Sequence, residues 1–357
     1  MEALFIDGSH GEGGGQILRT ACSLSAITGR AIRLDRIRAG RRKPGLAAQH
    51  VTAIRAVGAL CDARVEGDEI ESETLFFSPQ GSIEAGDYRF DVADAREGGS
   101  AGSVCLVLQA VLLPLAYCSG ASTVSVIGGT HVSWCPSFDY LQEIWLPALS
   151  RLGIDAGLEL VRPGWFPVGD GEVIATINGW GAEAASHASG LTIVDRGPLG
   201  RVTGRAIASS LPAHIAQRMS DRARVLLEPL GVPVEIQPRR MRSASPGAGI
   251  YIAARYENIS CGFDGAGRRG LPSEEVAEHA VAKLLDHHAT GAALDEHLAD
   301  QILLPLAFAD GPSAFSCRRV TRHLESNAWV IARFGLARVA IEREPDGTGR
   351  VTVVPTP

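Results

Sequence analysis

The order in which helical and strand patterns recur is the feature that most limits how this chain can fold. A short strand leads through a glycine-rich turn, Gly8 to Gly15, into an amphipathic helix, and two helices with a few strands then return roughly every 85–90 residues. From Leu191 to about Arg269 the pattern changes to one strand, a helix and two strands, after a small polar linker at 178–190. We therefore expect a pseudo-repeated α/β fold with a smaller domain inserted into the larger one.

The charge of the chain limits how it can bind nucleic acid. Its formal net charge is −6, whereas proteins that coat long nucleic acids are usually basic. A small basic pocket for one RNA end is compatible with this charge. The only lysines are Lys43 and Lys283, so covalent chemistry on a lysine has two candidates at most.

The cysteines and the apolar segments indicate the compartment. Seven cysteines are dispersed without any CxxC pair, which disfavours a zinc ribbon or a disulfide framework and favours a reducing environment. The first residues show no basic, apolar signal region, and the longest apolar stretch, 104–118, is too short to span a bilayer. We expect a cytoplasmic protein without a membrane segment; the sequence specifies no oligomeric state.

The glycine-rich turn lies at a strand-to-helix junction, where backbone N–H groups can converge on an anion. The segment from Gly11 to Thr20 lacks both GK[ST] and a GxGxxG pattern, because Gln16 stands where the last glycine would be. A tight structural turn explains the same glycines. Glu12 favours the functional interpretation, because a carboxylate beside phosphates requires a bridging divalent metal.

Basic and polar residues elsewhere are further candidates. The loop from Ile37 to His50 concentrates three arginines and a lysine, which suits either a solvated surface or an anion clamp that Arg19 would extend. Gln109 is a lone amide in an apolar helix and must find partners. The chain has ten histidines, and spacing alone does not select His323, which we expect just before a helix at Asn327 to Phe334.

Taken together, these motifs resemble those of the RNA 3′-terminal phosphate cyclase family. The segments GEGGGQILR, RAGRRKPGL, SAGSVCLVLQ, GGT, LADQ and HLESN occur in the order of that family and cover nearly the whole chain. The resemblance implies a large domain over residues 1–184 and 273–357, made of three repeated units of helices packed on a four-stranded sheet. A smaller α+β domain would be inserted at 185–272.

The resemblance also implies an ATP-dependent reaction at RNA 3′-phosphate ends, assisted by Mg²⁺ or Mn²⁺. A histidine attacks the α-phosphate of ATP, the AMP passes to the RNA 3′-phosphate, and the neighbouring 2′-OH closes a 2′,3′-cyclic phosphate and expels AMP. Adenylation is needed because a phosphate monoester has no good leaving group, and covalent catalysis divides the hard step into easier ones.

The family's functional positions carry over residue by residue. The adenylated histidine corresponds to His323, and the acidic residue near the metal and the ATP phosphates corresponds to Glu12. The positions that match the nucleotide pocket are Gln109, His297, Leu298, Ala299, Asp300 and Gln301. The positions that match the cluster around the RNA phosphate are Arg19, Arg41, Gln49 and His50.

Three places depart from the family pattern, and one of them is the segment Thr321-Arg322-His323, which leaves the role of the arginine open. His297 stands where a tyrosine is common, which changes the aromatic contact to the nucleotide, and Asp170 stands where a glycine is usual. Three alternatives remain: a non-catalytic ribosome-assembly relative, which would lack the histidine; an enolpyruvyl transferase-like enzyme, which leaves LADQ and HLESN without a role; and a lysine-dependent RNA ligase, for which no KxDG motif exists.

Overall fold

Small four-stranded sheets, each packed against helices, make up the fold. The computed structural model describes residues 2–97, 99–180 and 190–356; part of the expected linker, 181–189, lies outside these residues. The expected α/β (α+β) class is confirmed, since the described residues form four such sheets. Within them, no helix combines the length and the apolar character that crossing a membrane requires.

The first unit, which we call unit one, spans residues 4–78. Its elements are β1 (Leu4–Asp7), α1 (Gly15–Thr28), β2 (Ile32–Asp35), α2 (Ala48–Leu60), β3 (Arg64–Glu66) and β4 (Leu75–Ser78). The sheet order is β1-β2-β4-β3, with a parallel first pair and antiparallel later pairs. Fully buried side chains such as Ile17 and Leu24 on α1, and Phe77 on β4, form the core between sheet and helices.

Unit two, residues 87–180, repeats this arrangement. Its elements are β5 (Asp87–Asp91), α3 (Val104–Ala116), β6 (Ser119–Gly128), α4 (Phe138–Tyr140), α5 (Leu146–Ser150), β7 (Asp155–Arg162) and β8 (Gly171–Trp180). A π-helical segment, Leu141–Trp145, joins α4 to α5. The sheet order β5-β6-β8-β7 matches that of unit one, again with a parallel first pair.

A sheet of different topology follows. It contains β10 (Leu199–Ser209), α6 (Ala213–Leu227), β11 (Val234–Met241), β12 (Gly247–Tyr256) and β13 (Ser260–Ala266), and the next helix is α7 (Ser273–Thr290). The strand order is β11-β10-β12-β13, and α6 and α7 pack on it side by side. The boundaries at 184/185 and 272/273 stay a prediction.

The third unit, unit three, is assembled from segments that precede and follow that sheet in the sequence. Its elements are β9 (Thr192–Ile193), α8 (Glu296–Leu306), β14 (Ser313–Cys317), α9 (Arg322–Phe334), β15 (Ala337–Arg343) and β16 (Gly349–Pro355). The order β9-β14-β16-β15 and the parallel β9–β14 pair repeat the pattern of the other two units. Helix α1 packs against both α3 and α9, and α9 packs against α8, so these helices connect the three units.

Candidate active site

The glycine-rich turn presents the N-terminus of α1 to the site. Gly11 and Gly13 both have φ of +59°, a left-handed conformation that side chains disfavour. The N-cap residue of α1 is Gly14, and no side chain caps the helix there. The first N–H groups of this 14-residue helix are therefore free of a capping side chain, an arrangement suited to binding a phosphate.

His323 lies in the first turn of α9, so the expectation that it precedes the helix was wrong. The helix begins at Arg322, because the Thr321 side chain accepts a hydrogen bond from the Leu324 N–H and caps it. The predicted start at Asn327 overlooked this N-cap. Burial, followed by the charges of Arg19 and Arg41, lowers the pKa of His323 to about 4. The imidazole is thus neutral at physiological pH and can act as a nucleophile.

Glu12 links the glycine-rich turn to this histidine. Its Oε2 lies 2.5 Å from Nδ1 of His323, and its Oε1 contacts the guanidinium of Arg41. Neither Oε2 nor Nδ1 makes a hydrogen bond of good geometry among the described residues. The close carboxylate orients the imidazole with Nδ1 toward Glu12 and leaves Nε2 as the nitrogen available for chemistry.

Arg19 supplies a buried positive charge to the same place. It is 8% exposed, and burial lowers its pKa to about 10, so it remains protonated at neutral pH. Its guanidinium donates to Oε1 of Gln16 at 2.5 Å and has no carboxylate partner in the described part of the chain. A buried arginine without an acidic partner favours the binding of an anion.

His50 and Gln49 lie at the start of α2, beside the glycine-rich turn. Nδ1 of His50 accepts a hydrogen bond from the Ala47 N–H at 3.0 Å, so the neutral ring carries its proton on Nε2. A Cβ placed on Gly15 would lie 2.2 Å from that Nε2, which explains the need for glycine. Burial, with the charges of Arg19, Arg38 and Arg41, holds the pKa of His50 well below its usual range. His50 is therefore a fixed N–H donor facing the turn.

A network that the sequence analysis missed anchors α9. Thr321 Oγ1 donates to Oδ1 of Asp300 at 2.5 Å, and the Asn327 amide donates to the Asp300 carbonyl at 2.8 Å. Thr20 Oγ1 on α1 donates to Oδ1 of Asn327 at 2.8 Å. The network joins α1, α8 and α9 and fixes the turn that carries His323. An earlier start for α9 would have identified Thr321 as the cap.

A small cavity lies where α1, α3 and α8 meet. Thr20, Gln109 and Gln301, which are the sixth residues of these three helices, line it together with Arg19 and Trp145. Three polar atoms in this group, Gln109 Nε2, Gln301 Oε1 and Trp145 Nε1, are buried without a hydrogen-bond partner. Such atoms call for a polar ligand or water, because burying them unpaired is unfavourable.

Of the other residues predicted to bind the nucleotide, one lines this cavity and three do not. Asp300 lines the cavity, and burial raises its pKa well above the usual range. Leu298 and Ala299 are fully buried in the core. The exposed His297 packs its ring edge-on against Tyr140, with 6.0 Å between ring centroids. His297 can offer a ring to a nucleotide only outside the cavity.

The geometry at Asp170 explains the glycine expected there. Its φ is 53°, in the left-handed region where glycine fits without strain. Arg162 compensates by donating from Nε to the Asp170 carbonyl at 2.7 Å and from Nη2 to its carboxylate at 3.2 Å.

Glu12 is the predicted metal ligand. Across residues 2–97, 99–180 and 190–356, no group of three or more His, Cys, Asp or Glu side chains is placed to hold a metal. Mg²⁺ is commonly held by one or two carboxylates together with substrate phosphates, and Glu12 Oε2 makes no hydrogen bond of good geometry among the described residues, although it contacts Nδ1 of His323. Glu12 therefore fits a metal that binds together with a nucleotide.

Comparison with known proteins agrees with this arrangement. The sequence profile of the RNA 3′-terminal phosphate cyclase family matches residues 10–341. Relatives named RNA 3′-terminal phosphate cyclase include one from Methylococcus capsulatus, 55% identical over 99% of this chain and 97% of its own length. Others come from Nostoc punctiforme (49% identical; 94% of this chain, 95% of its own) and Pyrococcus furiosus (39%; 93% of each). The chain therefore belongs to the RNA 3′-terminal phosphate cyclase family.

Proposed function

We propose that this enzyme converts an RNA 3′-phosphate into a 2′,3′-cyclic phosphodiester at the expense of ATP, through an AMP carried on His323. The observation that supports this most directly is a neutral, partly exposed histidine in contact with the carboxylate of a glycine-rich turn. Two arginines lie close enough to lower its pKa. A non-catalytic relative would have no use for this arrangement.

In the first step, the lone pair on Nε2 of His323 attacks the α-phosphorus of ATP. A P–N bond forms, the bond from that phosphorus to the bridging oxygen breaks, and pyrophosphate leaves. The uncapped N-terminus of α1 and the guanidiniums of Arg19 and Arg41 stabilise the charge that develops on the phosphoryl oxygens. Glu12 would hold the divalent metal, which adds further charge neutralisation at the phosphates.

In the second step, an oxygen of the RNA 3′-phosphate attacks the phosphorus of the bound AMP. The P–N bond breaks, the histidine is restored, and the RNA end becomes a phosphoanhydride. His50 would donate its Nε2 proton in a hydrogen bond to the RNA phosphate, alongside Arg41 and the free amide of Gln49. The 2′-OH then attacks the activated phosphorus, loses its proton, and expels AMP as the ring closes.

The cavity between α1, α3 and α8 supports a nucleotide-binding role. Its unpaired atoms offer donors on Gln109 and Trp145 and an acceptor on Gln301, a pattern that a purine edge can satisfy. Asp300 lines the same cavity and bonds to the cap of α9, which connects nucleotide binding to the position of His323. All seven cysteines are free, consistent with action in the cytoplasm.

Labelling with α-³²P-ATP and a divalent metal, followed by denaturing electrophoresis, tests the proposal. The His323→Asn variant should lose the label, because asparagine keeps a polar group but no nucleophilic imidazole nitrogen. The matched control is His279→Asn, which changes an exposed histidine on α7 and should label like the wild type. Lys43→Arg and Lys283→Arg should also retain the label. Wild-type labelling of His323→Asn would overturn the assignment.

A further inference from the structure

Two of the most exposed apolar side chains are aromatic and lie on neighbouring loops. Trp134 is fully exposed and Phe166 is 77% exposed. The loops are joined, because the His131 N–H donates to the Gly164 carbonyl at 3.2 Å and the His131 ring stacks on Trp165 with centroids 5.0 Å apart. We call residues 133–134 and 166–168 the aromatic ridge. Large apolar side chains exposed together mark binding surfaces more often than isolated ones do.

The aromatic ridge adjoins the residues assigned to the RNA end. Gln49 Oε1 accepts a hydrogen bond from the Ser103 N–H at 2.9 Å, and the Ser103 side chain lies beside the thiol of Cys135. Trp134 is the residue before Cys135. On the other loop, a Cβ on Gly169 would lie 3.0 Å from the Ala101 Cα. The ridge therefore begins within a few residues of the 3′-phosphate site.

Arginines border the ridge on its other side. Residues 190–272 contain twelve arginines, no lysine and six acidic residues, although the whole chain has a net charge of −6. Arg239, Arg240 and Arg242 lie at the end of β11, are exposed, and have no acidic partner within the described residues. The positive charge of this segment thus stands out against an acidic protein.

The strand register brings that end of β11 close to the ridge. Met241 pairs with Ser209, which pairs with Gly247, and a Cβ on Gly247 would collide with the Trp165 ring at 2.0 Å. The Val168 N–H also donates to Ser245 Oγ at 3.1 Å. The end of β11 that carries these arginines and the loop that carries Phe166 therefore lie on neighbouring segments of the fold.

We propose that the aromatic ridge and these arginines bind single-stranded RNA immediately upstream of the 3′-phosphate. Bases stack on aromatic rings with little regard to sequence, and arginines bind the phosphates between them. The proposal rests on the proposed function, because the RNA direction is set by the 3′-end site. An apolar protein partner would not account for the arginines or for the continuity with Gln49.

Binding is measured in the His323→Asn background without ATP, so that no chemistry intervenes. The probe is a 5′-fluorescein 12-nucleotide RNA with a 3′-phosphate, followed by anisotropy, and the reference ligand is a 3′-phosphorylated dinucleotide measured by competition. Replacing Trp134 and Phe166 together by alanine should weaken binding of the 12-mer about tenfold or more and leave the dinucleotide unchanged. A variant that keeps Phe166 and carries Trp134→Phe should bind the 12-mer with most of the parent affinity, because an aromatic ring remains at position 134 for stacking.

Matched controls separate the ridge from general effects. Phe5→Ala removes another exposed aromatic ring, on β1, and should not change binding of the 12-mer. Arg239→Gln with Arg242→Gln should weaken binding and flatten its salt dependence, whereas Arg224→Gln on α6 should do neither. Unchanged affinity of the 12-mer in the ridge variants overturns the proposal, as does equal binding of the 12-mer and the dinucleotide by the parent protein.

The same ridge substitutions on the His323 enzyme distinguish the two proposals. Labelling with α-³²P-ATP should stay within about twofold of the wild type, because no ridge residue belongs to the adenylation machinery. If labelling is intact and the ridge substitutions do not change RNA binding, only the proposal that the ridge binds RNA is overturned. Absent labelling in every protein, with the ridge effect present, overturns the proposed function and leaves an RNA-binding surface.

Discussion

Units one and two have the same topology and different chemistry. In both, a strand passes through a glycine turn into a helix, and the sheet order and strand directions agree. The turn of unit one carries Glu12 and faces Arg19 and His50, whereas in unit two the side chain of Ser103 caps the N-terminus of α3. A repeated fold therefore supplies equivalent helix ends, and single residues at those ends decide which of them becomes a site.

The largest difference between the units should appear at their glycine turns. In unit one, Gly15→Ala forces a Cβ to within 2.2 Å of His50 Nε2 and displaces that donor, so we expect cyclisation to fall at least about 100-fold. In unit two, Gly99 has φ of +81° and open space around it, so Gly99→Ala should cost only about 1 kcal/mol of stability. Cyclisation rates and urea denaturation should be measured for both variants. Equal losses of cyclisation rate in the two variants would contradict the proposed difference between the glycine turns.

A smaller effect concerns the charge that unit one places near His323. Its pKa is lowered to about 4, first by burial and then by Arg19 and Arg41. Because the neutral form attacks, the wild-type labelling rate should be flat above about pH 6 and fall as the pH drops toward that pKa. Arg41→Gln removes one positive charge, so the fall should begin at a higher pH.

The same Arg41 variant should lose more cyclisation than labelling, because Arg41 shares the charge of the first step with Arg19 and in addition binds the RNA phosphate in a fork during the later steps. Single-turnover labelling across pH 4–8 and cyclisation of 3′-phosphate RNA test this on one preparation. Equal losses in both assays would assign Arg41 to ATP alone.

Removing a helix cap in unit three and another in unit two should distinguish an effect on the labelling rate from an effect on stability alone. Thr321→Ala removes the N-cap of α9 and its bond to Asp300, so we expect a loss of about 1 kcal/mol and a several-fold slower labelling rate. Thr321→Ser should restore both. Ser137 caps α4 in unit two, so Ser137→Ala should lower stability by a similar amount and leave labelling unchanged. Slower labelling in Ser137→Ala would show that the effect is not specific to α9.

The smallest expected effect is at Asp170 in unit two. Asp170→Gly relieves the left-handed strain at φ of 53° but loses the exposed contact with Arg162. These effects nearly offset each other, so thermal unfolding should change by less than about 1 kcal/mol. A large loss of cyclisation would show that this carboxylate has a functional role.

The repeated fold was predictable because helix and strand periods are local properties. The pattern of Ile17 and Leu24 indicated α1, and the return of such patterns indicated the units. The start of α9 was not predictable from periodicity, because it depends on a hydrogen bond between the Thr321 side chain and Asp300, which lies 21 residues earlier in the sequence. Likewise, composition ranked no histidine first; His323 was singled out by family resemblance, and its contact with Glu12 spans nearly the whole chain.

The ridge was missed for a related reason. An isolated Trp134 or Phe166 in the sequence looks like a core residue, since aromatic side chains are usually buried. Only the folded loops show both rings in solvent, and only the strand register brings the end of β11 near them.

Mapping the adduct shows which residue of the enzyme carries the AMP. Wild-type enzyme is reacted with ATP and a divalent metal, kept alkaline because a P–N bond breaks in acid, digested, and sequenced by tandem mass spectrometry. AMP should be found on the peptide that contains His323 and on no other. AMP on a peptide containing Lys43, Lys283 or another histidine, with His323 unmodified, would contradict it.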